Sequence, residues 1–311
     1  MARAARGFVA TLDADQRAKA LIPFTDANRL DWHYVPRARS GLSLKEMAPA
    51  QRLLAQALVS SGLSARGSAA IASIMSLEPV LSAQENNPRR RDLDLYYLTI
   101  FGLPGTEAPW GWRFEGHHIS LNFTFPAPGS RAATPLFLGS NPAEIRSGAR
   151  EGFRALPDED DLGRAFVKGL SDAQRSVAII AARAPNEIVN SPGRKDSKPE
   201  GIPWAQLDDA QRQHLLELVR TFLDRSRTEV AVDELARIEA AGFGNLHFAW
   251  AGGLEPGEGH YYRIQSGSFV IEFDNVQDGA NHIHSVWRDL DRDFGLDLLA
   301  EHHRAAHTRS E

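Results

Sequence analysis

Apolar residues recur along the chain with two different periods. Leu53, Leu54, Ala57 and Leu58, and later Leu215, Leu216, Leu218, Val219, Phe222 and Leu223, return every three or four positions, the spacing of a helix with one buried face. Just ahead of such runs a short motif recurs: Leu12-Asp13-Ala14-Asp15-Gln16-Arg17, Met47-Ala48-Pro49-Ala50-Gln51-Arg52, Leu170-Ser171-Asp172-Ala173-Gln174-Arg175 and Leu207-Asp208-Asp209-Ala210-Gln211-Arg212. In three copies Asp13, Ser171 or Asp208 stands three residues before Gln. The first side chain can then accept from an early backbone N–H while the Gln reaches back to the cap. The second copy has Pro49 where a first-turn proline is tolerated. These signals predict helices near 13–22, 48–61, 66–84, 171–183, 208–225 and 230–241. The recurrence fits an internal duplication of helical pairs, about 10–85 and 170–240, although helix-capping physics alone produces the same motif.

Alternating apolar and polar residues mark strands in two regions. One is 111–125, read as a single strand. The other is a meander of 245–251, Tyr261–Gln265, Phe269–Asp274 and His282–Trp287, with a turn at Ser266-Gly267-Ser268 and a loop through Asp278-Gly279. Pairing the two regions gives an α+β fold, an antiparallel sheet flanked by helical segments, in one unit spanning 1–311. Residues 185–203, rich in Pro, Gly, Lys and Ser, read as a loop that covers a site or joins two halves, with little to order it.

Charge and composition narrow the partners. A formal charge of -5 and the absence of a dense Lys/Arg run argue against nucleic acid or an anionic membrane. Arg89-Arg90-Arg91, followed by Asp92 and Asp94, reads as a solvated turn. The N-terminal residues are basic but precede no apolar stretch of signal-peptide length, and no stretch approaches a membrane span, so the expected location is cytoplasmic. With no cysteine, a metal must be held by His, Asp, Glu or water.

That requirement directs attention to Asn281-His282-Ile283-His284-Ser285-Val286-Trp287-Arg288-Asp289. Alternate strand residues share a face, so His282 and His284 point the same way, about 6–7 Å apart, and two imidazoles so placed can grip one ion. His117-His118 can supply a third. On a continuous strand His118 shares a polar face with Ser120, Asn122 and Thr124, while His117 shares the other with Ile119, Leu121 and Phe123; a bulge at Gly116 exchanges the roles. The candidate ligands are therefore His117 or His118, with His282 and His284. Three histidines suit zinc, two histidines with a carboxylate suit ferrous iron, and copper is a further choice.

Glu115 and Glu272 are the candidate general bases, and Arg263 and Arg288, with Arg113, can bind an anionic group bidentately. His260 and the C-terminal His302, His303 and His307 are weaker metal candidates. Trp32, His33, Tyr34, Trp110, Trp112, Tyr261, Tyr262 and Trp287 can line a pocket or fill a core. The sequence contains no Gly-x-Gly-x-x-Gly after a strand, no phosphate-binding loop, no His-Glu-x-x-His and no Gly-x-Ser-x-Gly elbow, which weakens nucleotide binding and serine hydrolysis.

Several of these stretches together resemble the bacterial and fungal proteins grouped as domain of unknown function 3500. The residues that carry the resemblance are Asp31-Trp32-His33-Tyr34-Val35-Pro36 with Arg39-Ser40-Gly41-Leu42, Trp110-Gly111-Trp112-Arg113, Glu115 through Asn122, Tyr261-Tyr262-Arg263-Ile264, Ile271 through Asn275, and Asn281 through Asp289, with Asp293-Phe294-Gly295 and His302 behind. The resemblance spans nearly the whole chain and implies one integrated unit. It implies no reaction. The residues point to a histidine-ligated metalloenzyme, an oxidoreductase ahead of a zinc hydrolase, acting on a small-molecule or peptide substrate. The alternative is a binding or structural protein whose histidines form a buried polar network.

Overall fold

A computed structural model describes residues 1–189 and 198–296 of the chain. In chain order the helices are α1 (Ala2–Val9), α2 (Ala14–Ala20), α3 (Pro49–Gly62), α4 (Ala65–Met75), α5 (Glu78–Glu85), α6 (Pro157–Lys168), α7 (Asp172–Ala178), α8 (Asp209–Leu223) and α9 (Thr228–Ala241). The strands are β1 (Leu21–Ile22), β2 (Leu42–Ser43), β3 (Tyr97–Phe101), β4 (Trp110–Gly116), β5 (Ile119–Phe125), β6 (Leu136–Ser140), β7 (Ile179–Ala181), β8 (Ile202–Pro203), β9 (His247–Gly252), β10 (His260–Gln265), β11 (Phe269–Asn275) and β12 (Ile283–Asp289).

All of these strands form one mostly antiparallel sheet, ordered β1-β3-β4-β5-β6-β12-β11-β10-β9-β7, with β2 on β3 and β8 on β9. The fold is α+β, as the two periods predict. The sheet reads alike from either edge. β1 and β7 run parallel to β3 and β9, pairing Leu21 with Ile100 and Ile179 with Trp250. Leu42 lies opposite Leu98 as Ile202 lies opposite Phe248, and Glu115 opposite Ser120 as Gln265 opposite Val270. The two halves meet where β6 pairs with β12.

The recurring motif opens helices in both halves. Asp13, Ser171 and Asp208 are N-caps whose side chains accept from the backbone N–H of Gln16, Gln174 and Gln211. Ala48 caps without a side-chain hydrogen bond, and Gln51 supplies its share by accepting from the Ala48 N–H at 2.8 Å. The glutamines also pair across helices: Gln16 with Gln51 at 3.0 Å and Gln174 with Gln211 at 2.8 Å. The motif thus does tertiary work that its local spacing does not reveal.

One face of the sheet is apolar and carries the helices. Leu98, Trp112, Phe123, Leu138, Ile271, Ile283 and Trp287 from neighbouring strands share it, all within the main core. Close helix approach needs glycine at two places. A Cβ on Gly62 would fall 2.7 Å from the Trp112 ring, and one on Gly163 would fall 2.4 Å from the Tyr262 ring. The opposite face is polar yet buried: Thr99, Arg113, Glu115, Ser120, Asn122, Tyr261, Arg263, Glu272, Asp274, His284 and Arg288 are all nearly inaccessible. Segments 24–40, 187–189 and 290–295 cover it and satisfy it. Arg113 donates to the carbonyls of Asn28 and Asp31, Arg29 donates to that of Phe294, and the Val189 N–H donates to Glu272. Buried polar groups demand such partners, so these long loops have fixed courses near the sheet.

Several sequence expectations are corrected here. The run 111–125 is a hairpin, not one strand: β4 and β5 turn at His117-His118, with Gly116 paired to Ile119. The turn exchanges the faces, so Arg113 and Glu115 join Ser120, Asn122 and Thr124, while Ile119, Leu121 and Phe123 face the helices. The helix expected over 66–84 is α4 and α5, separated at Ser76-Leu77. Arg91 of the basic turn is largely buried, with its side chain 8% exposed, and pairs with Glu85. Helices α1 and α6 and strands β1, β2, β3, β6, β7 and β8 were not anticipated; the helix expected over 171–183 ends at Ala178, where the chain passes into β7, and that expected over 13–22 ends at Ala20 before β1. Among the described residues no helix is long and apolar enough to cross a membrane. Part of the loop expected over 185–203, namely 190–197, and the tail with His302, His303 and His307 lie outside the described residues.

Candidate metal centre

The β4–β5 turn projects toward the seam between the two halves. His118 occupies it with φ of 60°, a left-handed backbone conformation that costs a non-glycine residue about 1 kcal/mol. Its N–H donates to the Tyr34 carbonyl and its carbonyl accepts from the Gly139 N–H, both at 2.8 Å. These bonds anchor the turn. Gly139 lies on β6 directly opposite His284 on β12, and a Cβ there would meet the His118 ring at 2.9 Å. The missing side chain makes room for the imidazole.

Three imidazoles converge at this point. Each of His118, His282 and His284 offers a ring nitrogen within 4.8 Å of the others. The Nε2 atoms of His118 and His282 are 2.8 Å apart, and ring centroids are separated by 4.8, 5.3 and 4.7 Å for the pairs 118–282, 118–284 and 282–284. His282 precedes β12 by one residue and His284 lies within it, so alternation gives them a common side.

Carboxylates stand behind two of the rings. His282 Nδ1 lies 2.9 Å from Asp278 Oδ2, and the same Asp oxygen accepts from Asn141 at 3.0 Å. Donation from Nδ1–H to Asp278 leaves the Nε2 lone pair facing the cluster, the tautomer a metal ligand needs. His284 Nδ1 is 2.7 Å from Glu187 Oε1, bent away from hydrogen-bond alignment, and 3.7 Å from Asp274 Oδ2. Asp274 is fully buried, and neither carboxylate oxygen has a hydrogen-bond partner among the described residues. It faces His284 across the β11–β12 ladder. His284, Asp274 and Glu187 form a second group with ligand atoms within 4.8 Å of one another.

Burial and neighbouring charge divide the histidines. Burial, then the other histidines, holds His118 well below the ordinary imidazole range, and burial with the His284 charge lowers His282 to about 4. Both are neutral near pH 7. Burial opposes the charge on His284 as well, but Asp274 and Glu187 outweigh it and raise this group to about 9. Burial in turn pushes Asp274 up to about 6 against the pull of His284. Tyr34 stacks on Phe137 at 3.9 Å and lies 5.3 Å from the His284 ring; burial and Glu187 keep its hydroxyl protonated.

The remaining sequence candidates lie elsewhere on the same buried face or near the turn. His117 turns away from the cluster: its Nδ1 bonds Glu78 at the start of α5, Arg91 contacts the ring, and the ring stacks on His118 at 3.8 Å. Glu115 sits between Arg113 at 2.7 Å and Arg39 at 3.1 Å. Glu272 accepts from the Tyr261 hydroxyl at 2.6 Å, and the residue opposite it on β12 is Val286 rather than a histidine. Arg263 donates to Glu200 at 2.6 Å and Arg288 to Asp293 at 2.7 Å. His260 is on the helix side with Asp160, 3.1 Å away. Trp32 and Tyr34 lie over the polar face, whereas Trp110, Trp112, Tyr262 and Trp287 belong to the core.

Sequence reasoning missed Asp274, Glu187, Asp278 and Asn141. Asp274 lay within an alternating strand whose register decides everything, and Glu187 sits in a loop without a local signature. Backbone strain gives one more signal. Of the five non-glycine residues with positive φ among those described, His118, Asp278 and Ala280 border this cluster, as strained residues at binding sites often do.

No curated protein and no solved structure matches the chain. A family model described as "Protein of unknown function (DUF3500)" matches residues 1–296, so the chain belongs to the DUF3500 family.

Proposed function

We propose that His118, His282 and His284 hold one divalent transition-metal ion and that the protein is a metal-dependent enzyme, an oxidoreductase acting on a small-molecule or peptide-like substrate. The observation that carries this reading is the convergence of three imidazoles from two distant segments, with His282 bonded to Asp278 through Nδ1 and the Glu187 carboxylate 2.7 Å from His284 Nδ1. Carboxylate partners of this kind fix the tautomer and orientation of metal-binding histidines. Two tetrahedral ligands each about 2.0–2.1 Å from zinc are roughly 3.3 Å apart. The His118–His282 pair at 2.8 Å would therefore open by about half an ångström to admit an ion.

A bound ion would supply one-electron chemistry or Lewis acidity. Redox chemistry is favoured because the carboxylates near solvent are engaged or paired, Asp278 with His282 and Glu187 beside His284. Glu272 and Glu115 are bound to Tyr261 and to two arginines, and Asp274, which has no hydrogen-bond partner among the described residues, is fully buried behind His284. Hydrolysis would need a carboxylate free to take a proton from water. Glu187 favours that second reading, because its side chain is 41% exposed and stands beside His284. Iron, copper or manganese supports the first reading, whereas zinc supports the second.

Elemental analysis of protein purified without an affinity tag tests the centre. About one transition-metal ion per chain is expected, lost in a folded His284→Ala variant. Rejection of every first-row divalent ion by the wild type would leave the histidines as a buried polar network. Electron paramagnetic resonance of the loaded protein then separates a redox metal from zinc.

A further inference from the structure

The two halves share one register, so side chains can be compared position by position. Leu44 follows β2 as Trp204 follows β8, and each donates its N–H at 2.8 Å to the carbonyl before the next long strand, Tyr96 or Leu246. Leu93 corresponds to Phe243: the turn around it joins Leu95 N–H to Asp92, as the turn around Phe243 joins Asn245 N–H to Gly242. In the second half Trp204 and Phe243 stack with centroids 5.3 Å apart, and the Arg212 guanidinium lies 5.6 Å from the Trp204 ring.

The first half has nothing of that size in the same place. Leu44 and Leu93 replace the two aromatic rings, and Ala55 and Ala72 stand where α8 and α9 carry Leu215 and Leu235. The consequence is a cavity of about 470 Å³ between α3 and α4, walled by these four residues and floored by Phe114. Small-molecule sites typically occupy about 300–1,000 Å³. Apolar space of this kind leaves dispersion contacts unmade and favours apolar ligands over water. Arg52, the charged residue in the wall, is held bidentately by Asp94 at 2.7 and 2.9 Å, so the site offers no uncompensated charge to an anion.

We propose that the α3–α4 cavity binds an uncharged, flat aromatic molecule about two rings in size, which occupies the place that the Trp204–Phe243 pair fills in the other half. Leu93, 42% exposed, lies at its mouth. The site is on the helix side of the sheet, away from the histidine cluster, and does not depend on a metal there.

Titration with 6-propionyl-2-(dimethylamino)naphthalene, an uncharged, flat two-ring probe whose emission brightens and shifts to the blue in apolar surroundings, tests the proposal. The wild type should bind one probe per chain saturably. A Leu44→Trp, Leu93→Phe double variant copies the second half; it should fold with a thermal midpoint no lower than wild type and bind the probe at least tenfold more weakly. Ala72→Leu alone, a smaller filling, should weaken binding severalfold and serves if the double variant does not fold. Absence of saturable binding by the wild type, or equal binding by the folded filled variants, overturns the proposal. So does wild-type self-association in sedimentation that the filled variants lose, because the cavity would then receive a second copy of the chain.

Discussion

His118 allows the cost of holding a ligand to be separated from its use. Its left-handed backbone, φ 60°, costs a residue bearing a Cβ about 1 kcal/mol, while glycine adopts it freely. Two backbone hydrogen bonds of 2.8 Å fix the turn whatever the side chain. The ring, on a residue only 3% exposed, packs on His117 and over Gly139. His118→Ala removes that packing and retains the strain, so a loss of about 2–3 kcal/mol is expected, at the lower end for large-to-small core changes. His118→Gly removes the same ring and relieves the strain, so it should be more stable than the alanine variant by about 1 kcal/mol. Glycine's extra freedom in the unfolded chain takes back a few tenths of that.

The comparison belongs in metal-free protein, because a ligand bound only to the folded state would add its own stabilisation. For a chain of this size the net difference, roughly 0.6 kcal/mol, is about 1 °C in Tm, so the matching shift in the urea midpoint is the more sensitive readout. Both variants should lose the metal alike. An alanine variant as stable as the glycine variant would refute strain at this turn. A glycine variant retaining one ion per chain would remove His118 from the ligand set.

Two further outcomes concern the frame. Asp13→Ala, Ser171→Ala and Asp208→Ala should each cost about 0.5–2 kcal/mol in urea unfolding, since each cap accepts from the third residue of its helix. Burial opposes ionisation of Asp160, but His260, Arg164 and Arg154 outweigh it and lower its carboxyl from 3.8 to about 2. The folded group is the stronger acid, so its stabilisation, on the order of 2 kcal/mol, is present above about pH 5 and lost as pH falls toward 2. Asp160→Asn should remove that part of the stability–pH profile; an unchanged acid limb would show that the ion pairs contribute nothing net.

Local signals in the sequence reached as far as local physics does. The caps and helical periods located α2, α3, α7, α8 and α9, and alternation located β9 through β12, because each depends on neighbours within a few residues. The same alternation misread 111–125. Both strands of that hairpin alternate, and nothing in Glu115-Gly116-His117-His118-Ile119 marks a turn strongly, because the residue taking the left-handed conformation is histidine rather than glycine or asparagine. His282 and His284 were legible as a same-face pair. The partners behind them depend on cross-strand register and on a loop nearly a hundred residues upstream, which no short-range rule supplies.

The register also explains why the cluster forms where it does. Position by position, His117-His118 of the first half corresponds to Gly267-Ser268 of the second, in the turn between β10 and β11. Only the first turn brings an imidazole to the sheet. It meets His282 and His284 because β6 and β12 pair at the seam, with Gly139 opposite His284 leaving the ring its space. One ligand therefore comes from the first half and two from the second, and neither half alone contains three. This arrangement ties the candidate centre to the integrity of the whole sheet: slipping β12 by one residue would turn His284 to the helix side, and slipping β6 by one would put a side chain where Gly139 now admits His118.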